Sequence, residues 1–239
     1  MRVFGTYRYG PVTWWWIADV PVYIPLLWGA IVHSSMALSD RAGLPGWARP
    51  FLDGLLAVLI DLAIDAIAIR VGLWSWKIRL DEGWFGVPAG NLCAWMWVAA
   101  WYGGVTRLLR QRIEQRGEPR WHRLLVPPFA YAGLFFCLFL IGVLGRLLAL
   151  EGQNERLWFF AAHLIGFLVI VGSARRTTRG PSAPPVPASL VWTRWLMHTS
   201  FAIVSALSGV WRQVPALIAV SAGSMLVEWW AQRWCEGSA

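Results

Sequence analysis

Residues 59–95 read LIDLAIDAIAIRVGLWSWKIRLDEGWFGVPAGNLCAW. The stretch opens inside an apolar run that carries Asp61 and Asp65 four residues apart, and it closes on a Val-Pro that starts a second apolar run. Between the two lie alternating tryptophans. The same skeleton stands 67 residues earlier: Gly5, Tyr7, Tyr9, Val20, Pro21 and Trp28 match Gly72, Trp74, Trp76, Val87, Pro88 and Trp95 at identical spacing. Self-similarity at a fixed period marks an internal duplication, with copies at about 4–30 and 71–97. In membrane proteins duplicated units often meet at the functional site.

Composition fixes the solvent. Of 239 residues 57% are hydrophobic and 14% charged, mean hydropathy is +0.50, and 19 are Trp. A soluble domain of this length cannot hide so much apolar surface, which predicts an all-α polytopic integral membrane bundle in a single transmembrane domain, 1–239. Spans are expected at about 14–38, 50–72, 88–106, 124–146 and 157–173. The last apolar region, 195–230, is too long for one span and is interrupted by Arg212 and Pro215, so it divides into two. That makes about seven helices, within a range of six to eight. The first dozen residues lack the apolar core of a cleavable signal peptide. Gly72 follows a full span and Gly5 does not, so either the first copy lacks an acidic helix or the start codon lies upstream.

Orientation follows from Lys and Arg beside the spans. Twelve arginines fall on one side (41, 49, 107, 110, 112, 116, 120, 123, 175, 176, 179 and 194), against Arg2, Arg8, Lys77, Arg79, Arg146 and Arg156 on the other. The richer side is read as cytoplasmic, which places the protein in the cell (inner) membrane as a multi-pass chain with both aromatic loops facing away from the cytoplasm. The net charge of +8 flanks spans and fits anionic headgroups, so no nucleic-acid partner is expected. The Pro-rich loop 180–187 reads as a passive connection. Cys93, Cys137 and Cys235 read as packing residues. His33, His163 and His198 have no metal-ligand spacing and read the same way, so no metal site is expected.

Asp53, near the start of its span, is expected to reach the interface or the helix N-terminus. Asp61 and Asp65 lie deep in the span on one helix face. A carboxylate turned to lipid there costs roughly 2.5–3.5 kcal/mol on the insertion scale, so the pair must face the bundle interior. Two carboxyls on one dry face cannot both ionise cheaply, and at least one is expected to be a neutral acid. The bland alternative is a pair that only bonds helices together. Trp74, Trp76, Trp84 and Trp95 follow, and an indole face stabilises a cation by about 2 kcal/mol where water is excluded. Acid beside aromatics suits carbocation chemistry; the bland reading is an interfacial belt. Asn91 either orients a water, holds one Asp, or caps its helix. Glu228, buried before Trp229 and Trp230, is expected to pair with an Arg.

These motifs carry a resemblance. An Asp pair, Gly-aromatic-Trp-x-Trp, and aromatic-Gly-Val-Pro-x-x-Asn with a nearby Trp resemble the membrane carotenoid hydratases of the bacterioruberin and gamma-carotene type. Asp61, Asp65, Gly72, Trp74, Trp76, Phe85, Gly86, Val87, Pro88, Asn91 and Trp95 fall on that pattern. FGTYRYG, with Phe4, Gly5, Tyr7 and Tyr9, then Pro21, Pro25 and Trp28, resembles the family's other signature. The resemblance covers residues 4 to about 103. Relatives carry Pro after the Asp pair where this chain has Ala66, and they carry a Glu-bearing helix before Phe-Gly-x-Tyr-x-Tyr.

The resemblance implies hydration of the terminal C=C of an acyclic carotenoid end group to a tertiary alcohol. The expected catalytic residues are Asp65, Asp61 and Asn91. The expected substrate-binding residues are Trp74, Trp76, Trp84, Trp95, Tyr7, Tyr9 and Trp28. No cofactor is implied; the partners are a long apolar carotenoid, the lipid bilayer and, as a further option, other enzymes of the pathway. Three readings stand beside it: a carotenoid cyclase that quenches the same cation internally, a proton-coupled transporter using the Asp pair, and a scaffold for pathway enzymes.

Overall fold

The computed structural model describes residues 7–11, 15–117, 119–148, 153–176 and 186–236. Phe4, Gly5, the side chain of Tyr7 and most of the loop 180–187 lie outside them. The described chain is helical apart from two short antiparallel strand pairings and the turns around them. Seven helices have 17 residues or more: α1 Tyr23–Ser39, α2 Arg49–Ala68, α3 Ala89–Gln115, α4 Val126–Leu147, α5 Gln153–Arg176, α6 Ala188–Leu207 and α8 Ala216–Glu236, with the single turn α7 Val210–Gln213 between the last two. The strands are β1 Tyr7–Tyr9, β2 Trp16–Ile17, β3 Val20–Pro21 and β4 Trp74–Trp76.

Proline sets several boundaries. Pro88 and Pro187 sit immediately before α3 and α6 in extended backbone (ψ 130° and 129°), and Pro stands in the first turn of α2 and of α4, where its missing N–H costs nothing. Gly209, at φ 76°, ends α6, and Pro215 separates α7 from α8. The division of the last apolar region therefore falls where Arg212 and Pro215 indicate. The first span starts later than the sequence suggests: residues 16–21 form the β2–β3 pairing, because Pro21 and the positive φ of Ala18 (51°) turn the chain before a helix can begin. At its other end α3 runs to Gln115, past the expected 106.

α2 is the central element. Leu56, Ala57, Ile60, Ala66 and Ile67 are fully enclosed, and α1, α3, α5, α6 and α8 all pack on it. The periphery is the reverse. Trp121–Leu147 and Arg156–Arg175 are long and apolar enough to cross a membrane, with mean hydropathies of 2.2 and 2.0. On α4, Phe135, Phe136 and Phe139 are each 60% exposed.

Two charged residues sit elsewhere than expected. Asp53 is fully buried and bridges helices: it pairs with Arg107 of α3 (2.5 Å) and accepts the hydroxyl of Ser39 of α1. Arg194 is not at a loop but buried in α6, where it pairs with Glu228 of α8 (2.6 Å) and donates to Ser34, Ser35 and the Leu56 carbonyl. The orientation count becomes eleven against six, with its sign unchanged.

Candidate active site

The duplicated segments face each other. β1 pairs antiparallel with β4, in the register Tyr7↔Trp76, Arg8↔Ser75, Tyr9↔Trp74. Since Tyr7 matches Trp74 and Tyr9 matches Trp76 in the repeat, this register is what a local two-fold axis between the copies produces. Other matched positions share geometry. Ile17↔Val20 and Trp84↔Val87 are both antiparallel bridges, and Ala18 and Phe85 are the two described non-glycine residues at positive φ, 51° and 50°. Trp28 and Trp95, also 67 apart, stack with ring centroids 4.1 Å apart and planes 28° from parallel.

Around this axis lies a cavity of about 150 Å³, lined by Tyr9, Ile24, Trp28, Asp65, Trp74, Trp76, Asn91 and Trp95. α2 brings the acid, α1 and α3 bring Trp28 and Trp95, and the β1–β4 pair brings the remaining aromatics. Asp61 and Asp65, one turn apart on α2, are both almost wholly buried and are bridged by one side chain, that of Asn91. Asn91 donates its amide N–H groups to both acids, at 3.2 Å to Asp61 Oδ2 and more closely to Asp65 Oδ2. The capping role is thereby excluded: the position before α3 is Pro88, and no side chain caps it. Trp74 lines the same cavity beside Asp65. Asp61 Oδ1 has no hydrogen-bond partner in the structure.

Most of the expected constellation is thus brought together; Trp84 is not. Its indole N–H donates to the Leu62 carbonyl at 2.7 Å, and its ring packs edge-on against Phe85, away from the cavity. Sequence reading treated every Trp of the loop alike, and burial against the opposite face of α2 decides otherwise. Two residues were missed. Ile24, the counterpart of Asn91, puts an apolar wall where the other copy has an amide. Arg70 ties the loop to α2 by donating to the Ala66, Phe85 and Leu80 carbonyls. Only the 67-residue offset offered a signal for the first, and none marked the second.

A second cavity, a groove of about 700 Å³, adjoins the first at Ile24 and Trp28 and runs between α1, α3 and α4 to Arg110.

Within the helical bundle, the chain sets a buried acid pair against an aromatic wall. A family model described as carotenoid biosynthesis protein matches residues 2–151, and the chain belongs to that family. Its role is in carotenoid biosynthesis. No curated protein and no solved structure matches the chain.

Proposed function

We propose that the protein is a carotenoid hydratase that spans the cell membrane and adds water to the terminal trisubstituted C=C of an acyclic end group. The observation that carries this reading is the Asp61–Asp65–Asn91 cluster opening through Asp65 onto a cavity walled by aromatics from both copies. Asp65 gives its proton to the less substituted alkene carbon, leaving a tertiary cation. The faces of Trp74, Trp76 and Trp95 stabilise that charge where bulk water is excluded. A water then attacks through its oxygen and returns a proton to the Asp pair, so that alkene and water give a tertiary alcohol and the acid is regenerated. The nitrogen of Asn91 is committed to the acids, which leaves its oxygen to hold that water. This polar anchor favours capture by water over internal ring closure, the cyclase outcome.

Membrane embedding rests on the exposed apolar faces of the outer helices, α4 above all, and on the arginines beside the α1–α2 and α3–α4 connections. The experiment is the carotenoid profile of lycopene-accumulating cells expressing the chain, with Asp65→Asn as control. A product heavier by one water and absent from the variant is expected. An isomer of unchanged mass would make the protein a cyclase. An unchanged profile together with proton-coupled uptake into vesicles would make it a transporter.

A further inference from the structure

The groove beside the acid cavity has a structural origin. On α3, Leu92, Met96, Ala99 and Gly103 face α2. Their counterparts 67 residues earlier are Pro25, Gly29, Val32 and Met36, and all four line the groove. In the other direction, Ile31 packs with α2 and Ser39 bonds its Asp53, and their counterparts Val98 and Thr106 line the groove too. The groove is therefore the place that, under the local two-fold, mirrors the seat of α2. Between Ile24 and Met36 it runs for about 18 Å along α1 at the helical rise. Tyr131, Leu134 and Phe135 of α4 form its other wall, which makes it a slot along α1. Its volume of about 700 Å³ lies within the range of small-molecule sites.

Among the described residues, one buried side-chain polar atom at the slot has no protein partner. Thr106 is 1% exposed, and its Oγ1 makes no hydrogen bond. In the same protein Thr193 and Thr199 return their hydroxyls to the carbonyl four residues back, at 2.8 and 2.7 Å, the usual recourse inside a helix. Ser39, the counterpart of Thr106, has an acid to bond. A buried hydroxyl left unpaired is costly, and this one stands about 22 Å along α3 from Asn91 at the helical rise.

We propose that the slot holds the polyene body of the substrate and that Thr106 binds a hydroxyl at or toward its far end, so that the protein selects acyclic carotenoids already carrying one alcohol. The choice of a carotenoid rests on the function proposed above; the slot and its unpaired hydroxyl do not. In sequence terms, the preceding reaction is one that hydroxylates an end group, and the same protein acting on the opposite end is one such source.

The test is quenching of tryptophan fluorescence in detergent by lycopene and by its singly hydrated derivative, made on Asp65→Asn so that no turnover intervenes. The hydrated compound is expected to bind about tenfold more tightly, the equivalent of one neutral hydrogen bond of roughly 1.4 kcal/mol. Thr106→Ser keeps the preference, and Thr106→Val makes the two ligands bind alike. Gly29 has open space where a side chain would project, so Gly29→Trp plugs the slot and is expected to abolish binding of both, a result that does not depend on how Thr106→Val folds. Equal binding to the parent protein, or a preference that survives Thr106→Val because the alcohol sits at the acid end, overturns the inference. So does crosslinking of two copies through Gly29→Cys in membranes, which would put a second copy's helix in the groove. A hydration product absent from cells, with the binding preference intact, would remove the hydratase reading and leave this one standing.

Discussion

Asp65 and Asn91 illustrate how far single residues speak for themselves. Both were legible in the sequence, because a carboxyl deep in an apolar run and an amide three residues after Val-Pro are anomalies that membrane energetics must explain. What the sequence withheld was who touches whom: that Asn91 bonds both acids and that Trp84 faces elsewhere. These assignments predict a graded series. Asp65→Asn removes the transferable proton and is expected to lower hydration by at least about 10²-fold, the lower end of what a placed acid supplies. Trp74→Phe keeps an aromatic face on the cavity but one that attracts a cation less than indole does, so a loss of about tenfold is expected. Trp84→Phe, whose lost bond is to a backbone carbonyl outside the cavity, is expected to affect stability before product level. Initial rates of product formation beside thermal midpoints in detergent separate the three. Equal losses from Trp74→Phe and Trp84→Phe at unchanged stability would return Trp84 to the site.

Among elements, the helices were the legible part and the aromatic loops the illegible part. Apolar runs of about 20 residues bounded by Pro announce helices whatever surrounds them. The pairing of β1 with β4 joins segments more than 60 residues apart through backbone bonds that leave no trace in side-chain pattern. The first span starts later than its apolar run for the same reason: Trp16 and Ile17 are apolar but form strand β2, paired with Val20 and Pro21. The loop pairing makes its own prediction. A Cβ on Gly10 would collide with the backbone carbonyl oxygen of Gly72, and Gly10 N–H bonds the Leu73 carbonyl at 2.8 Å, so neither side can yield cheaply. Gly10→Ala is expected to part β1 from β4, costing about 1–3 kcal/mol as overpacking does, and to reduce hydration although Gly10 touches neither acid. Crosslinking yield between cysteines placed at Arg8 and Ser75 reports the pairing directly; an unchanged yield with full activity would show that the strands are not held through this contact.

At the scale of the whole molecule, the family match ends at residue 151 and the bundle does not. α6 and α8 are fastened to α1 and α2 by one buried cluster: Arg194 bonds both oxygens of Glu228, His198 lies 3.5 Å from the same carboxyl, Gln232 donates to it at 2.7 Å, and Arg194 reaches Ser34, Ser35 and the Leu56 carbonyl. Composition foretold an Arg for Glu228 but not this one, since Arg194 reads as a flanking charge until the helix boundary at Ala188 places it two turns inside. Complementary charges in a dry interior repay their desolvation only while both are present. Arg194→Met therefore strands Glu228 and is expected to destabilise the protein by about 3–5 kcal/mol, as does Glu228→Leu, which strands the guanidinium. The double replacement leaves no unpaired charge and is expected to recover most of the loss, with a coupling of opposite sign to the single effects. Unfolding in mixed micelles of lipid and detergent measures all three. If the losses simply add, the cluster is not what joins the C-terminal helices to the acid-bearing half, and packing of Leu44, Leu52 and Leu56 against Val171, Ala231 and Cys235 must hold them instead.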